Sequence, residues 1–110
     1  MFNLCHWLKV SDEAKLRETV LLAKPYLAAV TLNGCDHAEV VRAKGDRWIL
    51  PLDDGAFDNG VLLRALWEAG FTGPVGLQCY GIPGDARDHL ARSIAAWRKL
   101  KDRLLLELKA

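Results

Sequence analysis

The sequence predicts an α/β fold of three parallel βα units, and three observations carry that prediction. Short apolar segments alternate with segments of helical period in the order strand, helix, strand, long loop, helix, strand, helix, an alternation that implies parallel strands joined by right-handed crossovers. Turn and breaker residues punctuate it at Pro25, Gly34, Gly70, Pro74 and Gly84. The length of 110 residues, with 51% hydrophobic and 26% charged side chains, suits one unit over residues 1–110 and is too short for two. Three parallel strands with helices on one face leave the other face bare, so the pattern reads as part of a larger sheet or a barrel.

The first strand starts at Met1 and reaches His6 and Trp7 almost at once. From Ser11 to Lys24 the pattern is that of an amphipathic helix. Ser11 stands as its cap, Asp12 and Glu13 complement its N-terminal dipole, Leu16, Val20 and Ala23 share a face, and Pro25 ends it. The segment Leu27 to Asn33, LAAVTLN, suits a strand that runs into a loop at Gly34.

Residues 34–58 show no sustained period and read as a long irregular loop, a length that in a compact domain usually serves function. From Asn59 the run NGVLLRALWEAG is helical, with Leu62, Leu63, Leu66 and Ala69 apolar and Gly70 set for a left-handed cap. Phe71 and Pro74 bracket a turn into the strand VGLQCY, residues 75–80. Gly84 and Asp85 open the last helix, on which Leu90, Ile94, Trp97, Leu100 and Leu104 mark one buried stripe.

Charge excludes several function classes. Fifteen basic and 14 acidic residues leave a formal charge of +1, which attracts neither a nucleic acid nor an anionic membrane over long range. The basic run WRKLKDR reads as a solvated face near a helix C-terminus. No stretch approaches the roughly 18 apolar residues of a membrane span, and MFNLCHWLKV is not a secretion signal, so a cytoplasmic location is expected. Cys5, Cys35 and Cys79 form no CxxC pair and read as free thiols of a reducing compartment.

Between Trp48 and Gln78 the chain reads WILPLDDGAFDNGVLLRALWEAGFTGPVGLQ. This stretch resembles the "PLGxGxxD, helix, GYxGxxxxE" region of the xylose-isomerase-like barrel family, which includes sugar-phosphate isomerases and epimerases and metal-dependent abasic-site endonucleases. Pro51, Leu52, Gly55, Asp58, Leu66, Gly70, Phe71 and Gly73 fall at matching places, whereas Asp53 stands where the family has glycine. The resemblance implies a partial TIM barrel: the chain would be the last three βα units of an eight-stranded (β/α) barrel, with its site at the C-terminal ends of the strands. Met1 would then lie inside the sixth strand.

Family members hold a divalent metal through two glutamates, an Asp-x-x-His aspartate and a histidine, and abstract a proton beside a carbonyl. The resemblance implies degenerate ligands here: Asn3 in Asn3-x-x-His6, Thr31 at the histidine position and Gln78 at the final glutamate. Neutral amides and a hydroxyl without a carboxylate hold Mn²⁺ or Mg²⁺ weakly, so no cofactor is expected unless the family site were complete. The chemistry implied is that of a sugar-phosphate isomerase or epimerase, but catalysis by this segment alone is not expected.

Asn and Gln keep the shapes of Asp and Glu and add donors suited to sugar hydroxyls. Asn3, His6, Trp7, Thr31, Asn33, Gln78 and Tyr80 are therefore the expected contacts to a sugar or sugar phosphate, with Trp7 stacking on a sugar face. On the last strand, Gly76, Gln78 and Tyr80 would face the barrel interior, and Val75, Leu77 and Cys79 the helices.

A non-catalytic carbohydrate-binding barrel is a second expectation. A third is a partial barrel that self-associates through its bare interior face. A soft zinc site from Cys5, His6, Cys35, His37 and Cys79 is a rival for the same rim. In the long loop, Asp36, His37, Asp46, Asp53 and Asp54 are candidate acids or bases without a spacing that forces them together, and His89 is expected on the surface of the last helix.

Overall fold

A computed structural model describes residues 1–109, and its three strands form one parallel sheet in the order β1-β2-β3. The strands are β1 (Phe2–Asn3), β2 (Val30–Leu32) and β3 (Val75–Leu77). The helices are α1 (Leu4–Val10), α2 (Leu16–Ala23), α3 (Ala38–Lys44), α4 (Asn59–Ala69) and α5 (Ala86–Lys109), with single 3₁₀ turns before and after α2. The chain is thus mixed α/β, as its alternation of periods requires. No helix among the described residues is long and apolar enough to cross a membrane.

Register fixes the two faces of the sheet. Phe2 pairs with Val30 and Val30 with Val75, Asn3 with Thr31 and Thr31 with Gly76, and Leu32 with Leu77. Strand alternation sends Phe2, Val30, Leu32, Val75 and Leu77 to one side, where they join Leu16, Val20, Leu62, Leu63 and Leu66 in a single core. Asn3, Thr31 and Gly76 form a row on the other side, and a Cβ placed on Gly76 would meet nothing within 4 Å. The facing expected for Val75, Gly76 and Leu77 is the one observed.

Four expectations change. The first strand stops at Asn3, because Leu4, Cys5 and Leu8 supply a buried i, i+1, i+4 face and wind residues 4–10 into α1; His6 and Trp7 are helical. Ser11 does not cap α2: Asp12 accepts the Ala14 N–H at 3.1 Å and starts a 3₁₀ turn first. The supposed loop 34–58 contains α3, seven residues whose buried Ala38 and Val41 are too few to give a visible period. That helix ends at Gly45, whose φ of 71° suits glycine and whose N–H reaches Val41 at 2.7 Å. The chain then returns to bridge Gly34 and Leu50 antiparallel.

The fourth change concerns α5. It packs against α4 and the Leu52–Asp58 segment; Trp97, Leu100 and Leu104 of the expected stripe lie against the core, but in the first turns Leu90 and Ile94 are 45% and 44% exposed while His89 and Ser93 are buried. Ser93 explains the difference, since its Oγ accepts the buried Leu52 N–H at 3.0 Å. His89 therefore lies inside, not on the surface, and its Nδ1 has no hydrogen-bond partner among the described residues.

Candidate functional site

The C-terminal ends of the three strands lie side by side, so Asn3, Thr31, Asn33 and Gln78 come to one rim of the sheet. The centre of that rim is β2. Thr31 points away from the helical core, and its Oγ1 is buried without a hydrogen-bond partner. Asn33, 1% exposed, donates both Nδ2 hydrogens, to the main-chain oxygens of Gly34 and Trp48 at 2.7 Å each, yet leaves its Oδ1 unpaired. Thr31 and Asn33 are two residues apart, so alternation sends both side chains to the same face. Buried polar atoms are normally hydrogen-bonded, so two orphans on one strand end are an unusual concentration.

The flanks of the rim are more fully paired. Asn3 Oδ1 accepts the Cys5 Sγ–H at 2.9 Å, and Cys5 Sγ lies 3.5 Å from His6 Nδ1. On β3, the Gln78 N–H extends the ladder to Leu32 O at 2.9 Å, and the Gln78 Oε1 turns back to accept the Tyr80 N–H at 3.1 Å. That turn ends the expected strand early: β3 stops at Leu77, and Tyr80 is 80% exposed rather than facing an interior.

The α1 helix redistributes the aromatic residues. Trp7 lies against Phe2, ring centroids 5.9 Å apart, and packs on the core, so the sugar-stacking role expected of it is not where the structure places it. Its place at the rim is taken by Trp48, which sequence reasoning missed. The Trp48 ring meets His6 edge-on at 5.7 Å and carries the Lys9 ammonium 3.8 Å above its face. Asn33 holds Trp48 there through its main-chain oxygen, a tertiary contact with no signature in an aperiodic segment.

The family's metal does not fit this donor set. Asn3, Thr31 and Gln78 offer only neutral oxygens, and those of Asn3 and Gln78 already accept hydrogen bonds, whereas a hard divalent cation depends on carboxylate charge. The soft set fares no better. Burial, with Cys5, Glu13 and Asp36 nearby, pushes the Cys35 thiol up to about 12, and burial raises Cys5 as well. His37 is turned to Glu13 at 3.0 Å, and among the described residues no three His, Cys, Asp or Glu side chains gather.

The acids of the long segment pin it in place. Asp36 accepts from Arg47 at 2.7 Å and from the Ala56 N–H at 3.1 Å, and these bonds hold its carboxyl below the ordinary value. Asp54 takes the same guanidinium at 3.2 Å, and Arg92 grips Asp53 with two bonds of 2.9 Å. Asp46 is exposed. Asp36, Asp53 and Asp54 are thus engaged in ion pairs, and the strand-end side chains of Asn3, Thr31, Asn33 and Gln78 carry no charge. Comparison of the chain with protein-family models, with curated proteins and with solved structures finds no match.

Proposed function

We propose that this chain supplies the three C-terminal βα units of a sugar-phosphate isomerase- or epimerase-like barrel whose metal site is degenerate, and that its rim binds a sugar or sugar phosphate without catalysing by itself. The observation that carries this reading is the pair of buried, unpaired oxygens, Thr31 Oγ1 and Asn33 Oδ1, at the C-terminal end of the central strand. A sugar presents several hydroxyls that donate and accept at fixed spacing, and a buried acceptor without a partner gains from such a donor. His6 and Trp48 stand beside this end of the sheet and give it an amphipathic wall.

No proton transfer is assigned. Asp36, Asp53 and Asp54 are ion-paired, and no step is routed through a metal. A protein acting this way in the cytoplasm would hold its ligand rather than convert it. Titration of the metal-free chain with pentose and hexose phosphates, followed by amide NMR, tests it. Shifts centred on Thr31, Asn33 and Gln78, weakened by Thr31→Val, are expected, with no isomerised product; shifts that avoid β2 would remove the reading.

One observation favours a second reading. Both β1 and β3 are edge strands, and the face beside Gly76 is bare. Unpaired strand edges recruit further strands, so self-association into a larger sheet or barrel follows from the same geometry. Sedimentation across a concentration series separates the two: a monomer at all concentrations excludes assembly.

A further inference from the structure

One cleft shares no residue with the strand rim. It has a volume of about 490 Å³ and lies between α5 and the segment that leads into α4. Its apolar floor is Leu52, Phe57 and Leu100, with Ala95 and Ala96 keeping the α5 wall low. Clefts of a few hundred cubic ångströms with an apolar floor and a few fixed polar groups are the usual form of small-molecule sites.

The polar groups are unequal. Arg92, Lys99 and Arg103 project from α5 into the cleft, spaced seven and four residues apart and so on one side of the helix. Asp53 neutralises Arg92, and Asp58 takes Arg103 at 2.5 Å. Lys99 makes no ion pair among the described residues, which leaves the lining with one uncompensated positive charge.

The far end is the first turn of α4, an eleven-residue helix. Gly60 lets the Arg103 guanidinium lie directly on that turn, because a Cβ there would collide with it. Asn59, 4% exposed, also lines the cleft; its Nδ2 is used by Asn33 O, and its Oδ1 has no partner. Asp58 caps the helix end itself, so a spare ammonium and a buried spare acceptor are the groups left to border the apolar floor.

We infer that this cleft is a binding site for a small organic monoanion that has an apolar body and one N–H or O–H donor. The anion pairs with Lys99, the donor satisfies Asn59 Oδ1, and the apolar body covers Leu52, Phe57 and Leu100. This site is independent of the sugar-binding reading of the rim and of its outcome.

Hippurate is a suitable probe, with one carboxylate, one amide N–H and one phenyl ring. Titrated into the full chain and followed by amide NMR, it is expected to give saturable one-to-one shifts centred on Gly60, Ala96 and Lys99. Lys99→Gln should weaken binding about tenfold, the worth of one charge-assisted contact of roughly 1.4 kcal/mol. Methyl hippurate, which lacks the charge, should weaken it to a similar degree, and benzoyloxyacetate, which lacks the N–H, should bind less well than hippurate. Ala95→Phe fills the cleft and should abolish the shifts. If that variant fails to fold, the surface change Lys99→Gln still decides. Shifts absent, centred elsewhere, or unchanged by Lys99→Gln would overturn the assignment; Lys44→Gln, remote from the cleft, serves as the control and should bind as the parent does.

Discussion

Asn59 donates its Nδ2 hydrogen to the main-chain oxygen of Asn33 at 2.9 Å, joining the first residue of α4 to the residue after β2 inside the protein. The bond ties the helix that builds the core to the strand end that carries the rim. Asn59→Ala removes the donor and leaves a buried carbonyl short of a partner, a loss of about 1–3 kcal/mol. Urea denaturation reads it directly, and a change below about 0.5 kcal/mol would mean that the carbonyl finds another donor.

Two glycines separate a packed position from an open one. A Cβ on Gly34 would collide with the main-chain oxygens of Pro51 and Asp54, whereas one on Gly76 meets nothing within 4 Å. Gly34→Ala should cost about 1–3 kcal/mol or prevent folding, and Gly76→Ala should lie within about 0.5 kcal/mol of the parent. Thermal unfolding of both variants gives the comparison. A large loss at Gly76 would show that another element covers that face.

Acid stability follows from the paired carboxylates. The hydrogen bonds from Arg47 and the Ala56 N–H hold Asp36 below its ordinary value of 3.8, and Glu68 is likewise lowered, first by Arg17. A folded-state pKa below the unfolded one means that the unfolded chain binds more protons in the window between them. The stabilisation is then complete above the unfolded pKa and lost as pH falls through the folded one. Unfolding followed from pH 7 to pH 2 should show stability falling below about pH 4. Asp36→Asn should lower the plateau at neutral pH and make the acid limb shallower; an unchanged limb contradicts the assignment.

The thiols should separate by access. Cys5 and Cys35 are fully buried with raised pKa values, Cys35 to about 12, while Cys79 is partly exposed beyond β3. Because the thiolate is the reactive form, an aromatic disulfide reagent at pH 8 should label one thiol fast and the other two at least about a hundredfold slower. Cys79→Ser should abolish the fast phase, and rapid labelling of Cys35 would mean that the segment 34–58 opens readily.

The legible parts of the sequence were those in which local signals agree. In α4, the apolar run from Leu62 to Ala69 meets a glycine at φ 75°, so face and stop coincide, while the Asp58 cap on Gly60 N–H at 2.8 Å emerged only in the structure. The parallel pairing of the strands followed from the alternation of strand and helix segments, and the facing of Val75, Gly76 and Leu77 from strand alternation together with the barrel resemblance. The last helix was legible as a helix and in Trp97, Leu100 and Leu104, which pack on the core, but not in its first turns, where Leu90 and Ile94 satisfy the same period as His89 and Ser93 and only the tertiary bond from Leu52 to Ser93 chooses between them. The rim was half legible. Asn3, Thr31, Asn33 and Gln78 come to the strand ends as expected, but α1 moves Trp7 to the core, and the return of the chain at Leu50 brings Trp48 beside His6.

If the rim binds sugar phosphate through Thr31 and Asn33, binding needs no metal. Calorimetric titration of the EDTA-treated chain with the sugar phosphates, repeated with saturating Mn²⁺, tests it most directly. Saturable heat is expected with EDTA present, with a Kd that Mn²⁺ leaves unchanged within about twofold and a loss of about tenfold for Thr31→Val, one hydrogen bond at the upper end of its usual worth. Binding that appears only with Mn²⁺, or no binding in either condition, would contradict it.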